Sequence, residues 1–248
     1  IKTSLLRFSP DWSLNLSSCP YYHNSIAIGI GMGNNSSFFD PYTKYIYHHI
    51  FSREYIHSTR DEKTRQFLEN IGLNAINTGC PTLWGLTEDV CMRIPRQRKK
   101  KVIFTLTYNS PAPEDKVLID ILTSEYDELY FWVQGYGDLD YLKTLTDISN
   151  IHIIGHSLSA YEHILDDNIE YDYVGTRLHA GIFAIRHGVR TIIITIDNRA
   201  EDMKETYNLP VIQRNCIKDE LRAFINSSFE TNIQVPIDRI ERWKEQFR

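Results

Sequence analysis

VIFTLTYNSPAPEDKVLIDILTSEYDELYFWVQG, residues 102–135, decides the fold. Val102–Thr107 is an apolar, β-branched run that stops at Tyr108-Asn109-Ser110-Pro111. Glu114–Ser124 reads as an amphipathic helix, and Leu129–Val133 is a second buried-strand run, ended by Gln134-Gly135-Tyr136-Gly137. Strand, helix of about ten residues, strand is the βα repeat from which parallel sheets are built.

The alternation continues downstream. Asp138–Ile148 is helical, Ile151–Ile154 a strand, Ser157–Leu165 a helix and Tyr171–Val174 a strand. Leu178–His187 is a helix with Gly188 as its C-terminal cap, and Thr191–Ile196 is a mostly β-branched strand. Five such strands within about 100 residues predict an α/β domain, Rossmann-like and doubly wound, with right-handed crossovers.

Residues 1–98 are less regular. Ser25–Gly33 reads as a strand entering a glycine turn, and Pro41–His49 and Thr59–Ile71 as helices, the second ended by Gly72. That is too few strands for a complete domain, so an N-terminal α/β domain lacking its first βα units is expected. Arg96–Lys101 is the expected linker, and Pro236–Phe247 reads as a charged helix opened by proline. The expected organisation is thus 1–98, then 99–235, then a C-terminal helix over 236–248.

Composition narrows the function. At 248 residues, 42% hydrophobic and 24% charged, the chain is globular rather than disordered or fibrous. No apolar run approaches the ~20 residues of a membrane span. The chain opens on Ile1 with no basic-plus-apolar signal segment, and residues upstream of it are expected. Lys and Arg number 27 against 32 Asp and Glu, a net charge of −5 that argues against a nucleic-acid binder. The basic run Arg96-Gln97-Arg98-Lys99-Lys100-Lys101 reads as a solvated linker. Cys19, Cys80, Cys91 and Cys216 show no CxxC pair and no zinc spacing, so no metal is expected, and reduced thiols point to a cytoplasmic protein.

In an open parallel sheet, ligands bind at the carboxyl ends of the strands. The exits are Tyr108-Asn109-Ser110, Gln134-Gly135-Tyr136, Gly155-His156-Ser157, Gly175-Thr176-Arg177-Leu178-His179 and Asp197-Asn198-Arg199. Ser110, Gln134, His156 and Asp197 are candidate cleft-lining residues. At the richest exit, a helix starting near Leu178 turns its free N–H groups and positive dipole end toward the crevice. Arg177 can grip phosphate or carboxylate there bidentately, and His179 can act as a general acid. A helix-start Arg in solvent with a packed His is the competing interpretation. Gly29-x-Gly31-x-Gly33 departs from dinucleotide-binding spacing and reads as close backbone packing or a cleft wall. His48-His49 point in different directions on a helix, and Asp166-Asp167 reads as a solvated turn.

The segment Asp172-Tyr173-Val174-Gly175-Thr176-Arg177-Leu178-His179-Ala180-Gly181, followed by Thr191–Ile196 and Asp197-Asn198-Arg199, resembles the polysaccharide pyruvyl transferases. Ser58-Thr59-Arg60-Asp61, Phe67-Leu68 with Ile71-Gly72, and Thr78-Gly79-Cys80-Pro81-Thr82-Leu83 add to the likeness, which spans roughly 26–214. The resemblance implies a GT-B-like architecture, two Rossmann-like domains facing a cleft. It implies transfer of pyruvate from phosphoenolpyruvate, a co-substrate with no further cofactor, to a hydroxyl pair on a glycan or lipid-linked sugar acceptor. That work belongs to cell-surface or exopolysaccharide biosynthesis, at or near the cytoplasmic face of the membrane. Arg177, Leu178 through its backbone, and Arg60 match donor-binding positions, with His179 as catalytic acid. Two alternatives remain: a GT-B glycosyltransferase using a nucleotide sugar, and a non-catalytic binding protein. The latter draws on the absence of the family's usual Asn-x-Gly-Asp-like opening segment.

Overall fold

The computed structural model describes residues 2–3, 13–31, 41–166, 170–196, 203–204 and 206–248. The chain forms two units, Ile1–Trp84 with Val235–Arg248, and Gly85–Gln234. Residues 85–98, expected with the first domain, group with the second, and the C-terminal helix groups with the first.

In the first unit, β1 (Lys2–Thr3) pairs in parallel with β2 (Ser13–Leu14). Helices α1 (Cys19–Tyr22) and α2 (Pro41–Ile50) follow. A second parallel pair, β3 (His57–Thr59) and β4 (Ala75–Asn77), flanks α3 (Glu62–Asn70). The helix expected from Thr59 therefore begins later. Residues 57–59 are a buried polar strand without an apolar run, and the Asp61 carboxylate caps α3 by accepting the Thr64 N–H at 2.7 Å. The strand expected at Ser25–Gly33 is reduced to two bridges, Ser25 with Phe51 and Ile30 with Thr59. Gly29 interrupts it at φ +57, where a Cβ would lie 2.2 Å from Pro81 Cδ. Gly33 lies outside the described residues. Ile46, Tyr47 and Ile50 of α2 pack with Phe67 and Leu68 of α3. The C-terminal helix, Ile237–Glu245, buries Ile240 and Trp243. Trp243 Nε1 donates to the Ile56 carbonyl at 2.7 Å, and Gln246 accepts the Ile56 N–H at 2.7 Å.

The second unit opens with α4 (Glu88–Met92). Then come β5 (Lys101–Thr105), α5 (Glu114–Glu125), β6 (Glu128–Trp132), α6 (Asp138–Leu145) and β7 (Ile151–Ile154). They are followed by α7 (Leu158–Asp166), β8 (Tyr171–Gly175), α8 (Leu178–Arg186) and β9 (Arg190–Thr195). All five expected strands join one sheet. A sixth, β10 (Val211–Gln213), extends it and was too short to expect. The order is β7-β6-β5-β8-β9-β10, and every neighbouring pair is parallel. This is a Rossmann-like α/β sheet.

Alternation along the strands feeds both faces. Val102 and Phe104 of β5 pack with Leu118 and Leu122 of α5 and Leu142 of α6. Ile103 points the other way, to Tyr161 and Leu165 of α7 and Ala180 and Ala184 of α8. The helix after β5 and the helix after β8 thus leave neighbouring strands toward opposite faces. A crevice must open between those two exits, the switch point at which such sheets bind ligands.

The amino edge of the sheet is closed by a buried ion pair. Arg190 Nη1 meets Asp172 Oδ2 at 3.0 Å, both residues being almost wholly buried. Tyr126 donates its hydroxyl to the same oxygen at 2.8 Å. Arg190 Nη2 serves the carbonyls of Phe224, Ile225 and Ser227, at the C-terminal end of the helix Arg222–Asn226. Burial pushes the Asp172 carboxyl up, while Arg190 and the Tyr126 hydroxyl oppose that rise. Asp172, the first residue of the signature segment, therefore holds the fold at the edge remote from the crevice.

Three of the five cations of the basic run stand in ion pairs. Arg96 pairs with Glu230, Arg98 with Glu125, and Lys101 with Glu128 and Glu170.

Candidate functional site

A cleft of about 460 Å³ occupies the switch point of the second unit. The β5 exit contributes Thr107, Asn109 and Ser110, and the β6 exit Gln134. The β8 exit contributes Thr176, Arg177, Leu178 and His179, and the wall is closed by Ile194 of β9 and by Ile196 just after it. The structure thus brings together Ser110, Gln134, Arg177, Leu178 and His179 of the expected residues. His156 shares the sheet edge but does not line the cleft. Its Nδ1 lies 3.1 Å from the Val133 carbonyl, and its ring leans on Tyr136. Asp197 lies outside the described residues. Arg60 belongs to the other unit, where it follows β3 directly and its guanidinium packs on Gly31, whose Cβ would fall 2.1 Å from Arg60 Nε.

Two glycines make the β8 exit possible. A Cβ at Gly175 would lie 2.4 Å from Thr105 Oγ1, so β8 meets β5 this closely only with glycine there. A Cβ at Gly181 would lie 2.6 Å from Ile193 Cγ1, so α8 can settle on β9. Tyr173 supports the turn from below, its hydroxyl 2.6 Å from Thr105 Oγ1 and 3.0 Å from the Arg177 carbonyl. Burial pushes that phenol well up, so it remains a donor.

α8 starts without a side-chain cap. Its N-cap is Arg177, in an extended conformation, a residue whose side chain has donors only and so cannot cap the first turn. Thr176, one residue earlier, is committed to Thr107 Oγ1 at 2.9 Å. Omitting a capping oxygen typically costs about 1 kcal/mol and leaves amide donors for an anion in the cleft.

Arg177 differs from expectation in its partner. Nη2 donates to both oxygens of Asp138, at 2.7 and 2.9 Å, and Nε donates to the Leu106 carbonyl at 3.0 Å. Asp138 is fully buried at the start of α6 and also accepts the Gly135 and Tyr108 N–H groups, at 2.6 and 3.2 Å. A buried carboxylate requires such compensation, so Nη2 is committed to Asp138 rather than to a ligand. Arg177 is thereby held as a fixed charge in the cleft wall, with only Nη1 left without a partner among the described residues.

A second clamped arginine, unforeseen in the sequence, stands behind Ser110. Arg214, directly after β10, donates through Nε to Asp115 Oδ1 at 3.1 Å and through Nη2 to Asp115 Oδ2. Asp115 is fully buried in the first turn of α5 and accepts the Tyr141 hydroxyl at 2.7 Å. Burial first, then Asp115, push the Tyr141 phenol up to about 12. Gln134 supplies the cleft's one orphan among the described residues, a buried Oε1 with no hydrogen-bond partner.

The other sequence features separate from this site. His48 ring nitrogens meet the Ile71 carbonyl and Arg53, while His49 Nδ1 meets the Tyr45 carbonyl. Asp166 pairs with His187 at 2.9 Å, and Asp167 lies outside the described residues. Among the described residues no group of three His, Cys, Asp or Glu could hold a metal, and no helix is long and apolar enough to cross a membrane.

Comparison with curated proteins finds no match. A family model described as polysaccharide pyruvyl transferase matches residues 4–198, a span that includes the β8 exit and the cleft residues up to Ile196. The chain belongs to the polysaccharide pyruvyl transferase family.

Proposed function

We propose that this protein transfers pyruvate from phosphoenolpyruvate to two hydroxyls of one sugar, on a glycan or a lipid-linked precursor. The product is a ketal in cell-surface or exopolysaccharide biosynthesis, formed on the cytoplasmic side. The observation that carries this reading is the β8 exit. An uncapped helix N-terminus, Arg177 and His179 converge on one cleft at the switch point. Phosphoenolpyruvate brings a phosphate and a carboxylate, which that set complements.

The chemistry follows from the donor. His179, as imidazolium, gives its proton to the methylene carbon, which becomes the methyl group of the ketal. Positive charge develops on the adjacent carbon, and a sugar hydroxyl oxygen bonds there. The carbon–oxygen bond to phosphate breaks, and the leaving group carries its electron pair to the α8 amides and Arg177. The second hydroxyl closes the ring on the same carbon. Of the two hydroxyl protons released, one returns to His179 and one leaves with phosphate. Acid catalysis and stabilisation of the departing anion are separate contributions.

A GT-B-like arrangement, with Arg60 as a second donor-anion ligand, is part of this reading. Its support is positional. Arg60 and Arg177 both sit between the last residue of a parallel strand and the first turn of a helix. Phosphate release from phosphoenolpyruvate, with and without candidate acceptor glycans, tests the function. Thermal stabilisation by nucleotide sugars but not by phosphoenolpyruvate would replace it with glycosyl transfer.

A further inference from the structure

We infer that Ser110 binds the donor's anionic group through its hydroxyl, and that Arg214 is a positioning residue that aims that hydroxyl into the cleft. The inference rests on the phosphoenolpyruvate reading above and adds two residues to it. Arg214 is fixed by its double contact with buried Asp115, and its side chain is only 13% exposed. Its remaining nitrogen, Nη1, lies 3.5 Å from Ser110 Oγ. A guanidinium has donors and no acceptor, so in this contact the serine oxygen accepts. The serine hydrogen must then go elsewhere. Among the described residues it has no acceptor, and Ser110 lines the cleft beside Arg177 and His179.

A hydroxyl so oriented is selective in sign. It offers a hydrogen to a phosphate or carboxylate oxygen, and the cation behind it strengthens that donation. The same construction occurs twice around the cleft. Asp115 in the first turn of α5 clamps Arg214, as Asp138 in the first turn of α6 clamps Arg177. One arginine faces the cleft itself. The other acts through Ser110.

Calorimetric titration with phosphoenolpyruvate and with inorganic phosphate tests this on the whole chain. Ser110→Ala should weaken binding about tenfold, the range for a lost hydrogen bond to a charged group, and Ser110→Thr should restore most of it. Arg214→Gln is paired with Asp115→Asn, so that no buried carboxylate loses its cation. This double variant should weaken binding several-fold when Ser110 is present and add nothing to Ser110→Ala. Equal affinity of wild type and Ser110→Ala overturns the inference alone. An equal further loss in the Ser110→Ala background assigns Arg214 a general structural role and removes it from the proposal. Binding of phosphate but not phosphoenolpyruvate sinks the donor reading, and the Ser110 comparison is then decided on phosphate. Binding of neither overturns both.

Discussion

Arg177 reaches across the mouth of β5 to Asp138, contacting both carboxylate oxygens at 2.7 and 2.9 Å. The arginine of the signature segment is therefore a structural tie as well as a charge in the cleft. Arg177→Ala should destabilise the second unit by about 3–5 kcal/mol, because it strands a fully buried carboxylate. Adding Asp138→Asn should recover part of that loss while leaving donor binding impaired. Urea unfolding of the three proteins checks this, and an Arg177→Ala variant of normal stability would refute the tie.

Gly175→Ala and Gly181→Ala should behave differently although both insert one methyl group. At Gly181 the nearest obstacle is the Ile193 side chain, with Tyr173 Cε1 beyond it at 3.1 Å, so Ile193→Ala should cost less in the Gly181→Ala background than in wild type. At Gly175 the new Cβ also meets the Thr105 backbone nitrogen at 2.8 Å, which no side-chain change removes. Overpacking of this kind costs about 1–3 kcal/mol, and the Gly175 variant should in addition lose donor binding as β5 and β8 separate. Melting temperatures of the paired variants decide between the two.

At the other edge of the sheet, Arg190→Ala should also cost about 3–5 kcal/mol, since it leaves Asp172 buried without its cation. Donor affinity of the folded fraction should not change, because Arg190 and the cleft lie at opposite ends of the strands. A loss of affinity at temperatures where the variant is fully folded would contradict that separation.

The five strands β5 to β9 are legible because each is dominated by apolar or aromatic residues and alternates with a helix, and their exits follow directly. β10 escaped because three residues carry too little pattern, and with it went Arg214. Only Thr59 of β3 falls within the helix that the sequence predicts over 59–71; His57, Ser58 and Thr59 are polar and carry no strand pattern, yet all three are buried in backbone pairing. The partner of Arg177 was unreadable for another reason. Asp138 reads as an ordinary helix-start acid, and only the strand order puts the β6 exit within reach of the β8 exit. His156 fell outside the cleft for the same reason, since β7 lies beyond β6 at the edge.

His57 makes the stability of the first unit depend on pH. The ring is fully buried, accepting the Ala27 N–H at Nδ1 and donating from Nε2 to the Ser52 carbonyl, which requires the neutral form. Burial pushes its pKa down, so the unfolded chain takes up the proton first. The stabilisation is complete above the ordinary histidine value near 6.5 and is lost as pH falls below it, by at most about 1.4 kcal/mol per pH unit. Denaturation midpoints at pH 7.5 and 5.5 should differ in wild type and converge in His57→Gln.

The role of His179 is tested most directly by the rate of acceptor-dependent phosphate release from phosphoenolpyruvate by wild type and His179→Ala, measured beside their melting temperatures. His179 is an exposed residue in the first turn of α8, so its truncation opens no core cavity. The predicted result is an unchanged melting temperature and a rate lower by about 10²–10⁴-fold, the range for loss of a general acid. A folded His179→Ala protein that releases phosphate at near the wild-type rate would contradict the assignment.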